Sequence, residues 1–205
     1  MVNSEGTVND GLDWECRNNG RTVWSYNQGV ILGGLVQMHY ADASNGAQSK
    51  SVRGIMERMR GFGLEVEAQT SGTPYLALAT HIAHAALRTL ASPSGILQDP
   101  CEPSNCGADG TQFKGIFVRN LAELHKVAPS YEYEKAILRN AESIWVKDRR
   151  GEGDTVFGVC WGGPWVEPGN ASTQSSALDA LVAALGLELA EKGIRGEREV
   201  EREEL

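Results

Sequence analysis

Three stretches decide how this chain folds: WSYNQG at 24–29, DGTQFKG at 109–115 and STQSS at 172–176. Each is a polar cluster built around a glutamine, and each runs into an apolar stretch with helical spacing. Helix starts carry unpaired N–H groups and the positive end of the backbone dipole, so polar side chains gathered at several starts can form a common rim around a ligand. A bowl for a sugar is the arrangement these clusters suggest.

Working outward from the clusters, residues 27–42 read as a helix with Val30, Ile31, Leu35 and Met38 on one side. Gly29, Gly33 and Gly34 lower its intrinsic propensity and point to close packing. A second helix covers 74–91, with Thr73 as its cap, Pro74 in its first turn, and Leu78, Ile82, Ala86 and Leu90 at helical spacing. The third, 112–127, aligns Phe113, Ile116, Phe117, Leu121 and Leu124 and stops before Pro129. Ser130 caps a fourth over 131–147, where Ile137, Leu138, Ala141, Ile144 and Trp145 form one stripe. A fifth begins after Thr173 and repeats Leu178, Leu181, Val182, Leu185 and Leu189 on its apolar face. The reading is all-α, apart from a short extended piece at 155–161.

The intervals between the glutamines test for a repeat. Gln112 to Gln174 suffices for two helices and two loops, while Gln28 to Gln112 is longer. The excess falls on AQSKSVRGIMERMRGFGLEVEAQ at 47–69, which lacks the patterning of its neighbours. We read roughly 44–70 as an insertion, of the kind an untranslated gene segment carried into the frame would make. The last stretch, 191–205, is charged throughout and reads as a solvated or frayed tail.

Composition narrows the partners. A chain of 205 residues with 41% hydrophobic content has the makings of one globular domain. Its net charge of −8 argues against a nucleic-acid backbone. No apolar run approaches a membrane span, and MVNSEGTVND lacks the basic and apolar regions of a signal peptide. Cys101 and Cys106 flank a turn-rich loop and are placed either to close a small ring or to remain thiols. The sequon Asn170-Ala171-Ser172 is a glycan acceptor only in an exported protein. His81 and His84 lie three apart on one helix without an evident third ligand, so neither metal nor cofactor is expected.

Taken in order, YNQGVILGGL at 26–35, FKGIFVRNLAEL at 113–124, NAESIW at 140–145 and TQSSALDAL at 173–181 resemble the carboxy-terminal half of glycoside hydrolase family 76. That family contains endo-α-1,6-mannanases and related fungal cell-wall mannosidases or transglycosylases. The resemblance implies half of an (α/α)6 barrel, twelve helices in two rings with a mannan groove across one end, here spanning 1–190. It also implies a secreted or cell-wall location and a retaining mechanism on two neighbouring aspartates in the amino-terminal half. One carboxyl must protonate the leaving oxygen while the other attacks the anomeric carbon. No two aspartates are adjacent in this sequence, so no catalytic residue is assigned and the chain is expected to lack turnover.

What the resemblance carries over is one wall of the groove: Asp10, Tyr26, Asn27, Gln28, Asp109, Lys114, Arg119 and Gln174. Amides and carboxylates suit sugar hydroxyls, and Tyr26 or Trp24 suits the apolar face of a mannose ring. Each assignment has a plainer competitor. Asn27 and Gln28 are also placed to cap a helix, and Lys114 and Arg119 to hold Asp109 or Glu123 in a salt bridge. Ser175 and Ser176 read as small residues at a tight helix entry. Three roles are therefore open: a truncated mannan-acting glycosidase, a non-catalytic mannan-binding protein, or an unstable remnant with apolar surface exposed along the missing half.

Overall fold

The computed structural model describes residues 2–45, 73–104 and 106–203. Six helices are described: α1 (Ser25–Asn45), α2 (Pro74–Leu90), α3 (Gly107–Gly110), α4 (Phe113–Val127), α5 (Tyr131–Lys147) and α6 (Ala171–Glu203). Their bounds lie within a few residues of the sequence reading, except for the C-terminal end of α6 and for the single turn α3, which is too short for periodicity to reveal. The expected insertion at 44–70 lies, beyond its first two residues, outside the described residues. Among the described residues strand pairing is confined to isolated bridges, including Val2 with Val8, Ala91 with Leu97 and Arg149 with Phe157. The expected extended piece at 155–161 supplies the last of these.

The helices form two layers. α1, α4 and α6 lie side by side as an inner row, α2 packs on α1, and α5 packs on α4 and α6. The inner three are parallel, as their registers show. Gly29 faces Ile116 and Phe117 while Gly33 faces Asn120, and Gly115 faces Ser176 while Arg119 reaches Asp179. The outer helices run back, since the end of α1 meets the start of α2 through His39 and Thr73, whose Nδ1 and Oγ1 are 3.0 Å apart. This is the alternation of inner and outer helices expected of an α/α ring.

The inner row closes on glycine. A Cβ on Gly29 would sit 2.6 Å from the Phe117 Cα, and one on Gly115 would sit 2.6 Å from the Ser176 Cα. Real side chains do not approach backbone so closely, so only glycine lets these helix starts touch. Ser176 completes the second seam by accepting the Gly115 N–H at 2.9 Å through its Oγ. Between the layers lies the core, with Leu32, Val36, Ile82, Phe117, Leu121, Leu124, Ile137, Ile144 and Trp161 buried.

Several local expectations change. Thr73 stands at the N-cap of α2, but its hydroxyl meets His39 instead of capping. Ser130 does cap α5, accepting the Glu132 N–H at 3.3 Å. Trp145 leaves the core stripe and is exposed, with the Arg149 guanidinium 4.6 Å from its ring centroid. In α1 the core takes Leu32, Leu35 and Val36, while Val30 and Met38 face outward. That helix is apolar on several sides, so periodicity alone could not choose one. The charged stretch from 191 continues α6 as helix to Glu203, in keeping with the high helix propensity of Glu, Lys and Arg.

If the glycine seam governs the inner row, Gly115→Ala should destabilise the chain by about 1–3 kcal/mol, as overpacking does. Gly186→Ala, at an exposed helical glycine with nothing within 4 Å, should be neutral or stabilising. Urea unfolding followed by circular dichroism compares the two directly.

Candidate functional site

The inner helices begin at one end of the molecule, each preceded by a loop segment: 2–24 before α1, 91–112 before α4 and 148–170 before α6. Two of the three cluster glutamines act on those loops. Gln28 is fully buried; its Oε1 accepts the Val8 N–H at 2.8 Å, and its Nε2 donates to the Val8 and Trp24 carbonyls at 2.8 and 2.9 Å. Gln174 does the same for the last loop, accepting from Phe157 N at 3.2 Å and donating to Thr155 O at 2.9 Å. Val8 and Phe157 are both bridge residues, so each glutamine locks a turn where the chain enters the inner row. The expectation that Gln28 faces a ligand is corrected: its carboxamide is spent on backbone groups inside the protein. The amide of Gln174 is likewise engaged.

Lys114 is corrected in the same way. Its ammonium is withdrawn from solvent, donates to Glu102 and to the Val159 carbonyl at 2.6 Å, and lies 4.8 Å from the Trp161 ring centroid. The partner is Glu102, neither Asp109 nor Glu123. Glu102 also accepts the Asp99 N–H at 2.9 Å, and Asp99 in turn accepts from Ser25 N at 2.8 Å and Ser25 Oγ at 2.6 Å. A carboxylate thus sits at the first residue of α1, where the helix dipole favours it. Burial pushes the carboxyls of Asp99 and Glu102 above the usual range, with Ser25 opposing the shift at Asp99 and Lys114 opposing it at Glu102. This chain of bonds ties α1, the 91–112 loop, α4 and the 148–170 loop together. The Cys101–Cys106 disulfide, with Cα atoms 5.1 Å apart, closes the same loop beside Glu102.

Arg119 is exposed and reaches Asp179 across the α4–α6 seam, with Nη1 3.3 and 3.4 Å from its oxygens. Asn170 is the cap of α6, its Oδ1 accepting from Ser172 N and Thr173 N at 2.9 and 3.0 Å. His81 packs against Gly6, and His84 lies 3.5 Å from Glu132.

Of the remaining expected residues, Asp10 and Asp109 are exposed and Tyr26 is half-buried. Tyr26 donates its hydroxyl to Asp10 Oδ1 at 2.8 Å, and partial burial, then this bond, raises the phenol above its ordinary value. Its ring lies 4.3 Å from that of Phe113, and the Trp24 ring meets Phe113 edge-on at 5.7 Å. Trp24, Tyr26 and Phe113 therefore form a continuous aromatic shelf between the starts of α1 and α4. Exposed Asp109 stands one turn ahead of Phe113. Asn27, beside the shelf, keeps a buried Oδ1 that accepts no hydrogen bond. Phe113 was missed from sequence because its spacing matches the buried face of α4; only the neighbouring helix start distinguishes it from Phe117.

One buried acid stands apart. Asp148, at the C-terminal cap of α5, is fully buried, and neither carboxyl oxygen has a hydrogen-bond partner. Burial pushes it up to about 7, Lys114 opposes the shift and Glu102 reinforces it. Between its ordinary value and about 7 the folded chain keeps a proton that the unfolded chain has lost, so stability falls as pH rises through that window. Asp148→Asn should flatten this dependence by up to about 1.4 kcal/mol per pH unit. Denaturant midpoints at pH 4.5, 6 and 8 measure the slope, which an unchanged variant profile would assign to other groups.

The profile of glycosyl hydrolase family 76 matches residues 1–194. No curated protein matches the chain. Among solved structures, it is similar to the Lin0763 protein from Listeria innocua, with 23% identity and a TM-score of 0.66, covering 93% of this chain and 45% of that one. It is also similar to the GH76A α-1,6-mannanase from Salegentibacter sp. HEL1_6, with 21% identity and a TM-score of 0.64, covering 91% of this chain and 48% of that one. The chain spans about half the length of these structures. The two-layered helical fold, the order of its blocks and the profile match agree: the chain belongs to glycosyl hydrolase family 76.

Proposed function

We propose that this chain forms one wall of a groove for α-1,6-linked mannan, in a glycosidase of the retaining, endo-acting type. The aromatic shelf carries the reading. Trp24 and Phe113 offer flat apolar surface for the C–H face of a mannose ring, while Asp10, held by Tyr26, presents a fixed acceptor for its hydroxyls. Asp109 supplies a second acceptor at the rim. Membership in the family and likeness to a protein named an α-1,6-mannanase support this substrate class.

The groups for bond cleavage are not assigned to this chain. A retaining glycosidase needs two carboxyls that both reach the sugar, one as acid and one as nucleophile. The buried acids Asp99 and Glu102 are occupied by Ser25 and Lys114, and Asp148 is closed off from solvent. They serve the scaffold. We therefore expect the isolated chain to bind mannooligosaccharide without turning it over. The disulfide in the 91–112 loop suits an oxidising compartment, which supports a site of action outside the cell or at its wall.

Tyr26→Ala and Asp10→Asn should each weaken binding of an α-1,6-mannooligosaccharide, measured by titration calorimetry, at least about tenfold, or about 1.4 kcal/mol. Their melting temperatures should stay close to that of the parent chain. Parallel losses of melting temperature and affinity would make these residues structural, and unchanged affinity would move the groove elsewhere.

A further inference from the structure

We propose that the Cys101–Cys106 disulfide positions the aromatic shelf, so that the oxidised chain holds the sugar-binding geometry and reduction of this bond releases it while the helices stay folded. The proposal rests on the shelf being the mannan contact, as read above. Each side of the shelf has a neighbour in sequence anchored to the loop that the disulfide closes. Ser25, between Trp24 and Tyr26, gives its N–H and its hydroxyl to Asp99 at 2.8 and 2.6 Å. Lys114, next to Phe113, gives its ammonium to Glu102. Glu102 joins the two anchors, because the oxygen that takes Lys114 also accepts the Asp99 N–H at 2.9 Å.

Glu102 follows Cys101 directly, so the disulfide fixes the backbone that carries it. The same bond also borders Phe113. A Cβ on Gly110 would lie 3.1 Å from the Cys106 Cβ, 3.8 Å from the Cys101 Sγ and 3.9 Å from the Phe113 Cε2, so the cystine and the ring flank one bare glycine. A bridge between cysteines five apart in sequence closes a short loop, and short loops restrict the unfolded chain less than long ones. Its hold on the fold as a whole is correspondingly modest. Lys114 and Glu102, by contrast, keep side-chain exposures of 2% and 4%, and a buried ion pair is favourable only while its geometry is kept. With the bridge open, Glu102 is free to turn to water, and the two anchors part. The rings of Trp24 and Tyr26, now 5.7 and 4.3 Å from that of Phe113, then lose their common register.

Treating the full chain with a dithiol transfers two electrons and two protons to the cystine, leaving Cys101 and Cys106 as thiols and the reagent as its own cyclic disulfide. Affinity for an α-1,6-mannooligosaccharide, measured by titration calorimetry, should fall at least about tenfold. The fluorine resonance of Trp24 in fluorotryptophan-labelled chain, assigned with Trp24→Phe, should move, and far-ultraviolet circular dichroism should not. Cys101→Ser combined with Cys106→Ser should show the reduced behaviour and ignore the dithiol. Unchanged affinity in the reduced chain overturns the proposal, as does loss of helix in step with loss of affinity, or a Trp24 resonance that stays in place. If the oxidised chain binds no mannooligosaccharide, the mannan reading falls and the Trp24 resonance alone decides: movement on reduction upholds the positioning role, and a fixed resonance ends it.

Discussion

The closest constraint in this molecule is the approach of three parallel helix starts with no side chain between them. At Gly29 and Gly115 backbone meets backbone at distances a methyl group would forbid. That contact sets the spacing of the inner row, and the rest follows. The loops entering each inner helix converge on one end, and the polar residues at those entries become neighbours across the chain. A rim requires such convergence, because residues as distant in sequence as Tyr26 and Phe113 can share a surface only if their helices begin side by side.

What holds the loops is a buried polar frame. Gln28 and Gln174 lock the turns that precede α1 and α6, while Lys114 joins Glu102, Val159 and Trp161 behind the shelf. A buried lysine costs desolvation unless its donors are used, and here two are bonded and the ring face takes part of the charge. The acids around it outnumber it, and Asp148, with neither oxygen bonded, keeps its proton near neutrality. The frame leaves the outer surface to Asp10, Tyr26, Asp109 and the aromatic rings. Scaffold and candidate site are thus built from the same polar clusters, divided by depth.

The two edges of the inner row are the counterpart of that order. Core residues between the layers are covered, yet Leu178, Val182, Leu185 and Leu189 on one side and Val30 and Met38 on the other are open. Such a run of large side chains along one helix marks a contact surface more than a random scatter does. Among the described residues α4 has an inner helix on either side, while α1 and α6 each have one.

The sequence by itself determined the helices, because apolar spacing, Pro74, Pro129 and the Ser130 cap are local signals that act before any tertiary contact forms. It also determined the family, through blocks in fixed order, and the glycines that announce close packing. Only the tertiary structure decided which polar residue does what. Gln28 and Tyr26 stand two apart at one helix start, and nothing local says that one turns inward to bind Val8 while the other turns outward to bind Asp10. Phe113 and Phe117 share one stripe, yet only the second is buried, since α1 covers it and leaves the first at the rim. Burial depends on what arrives from elsewhere in the chain, and a residue's own neighbours in sequence do not carry that information.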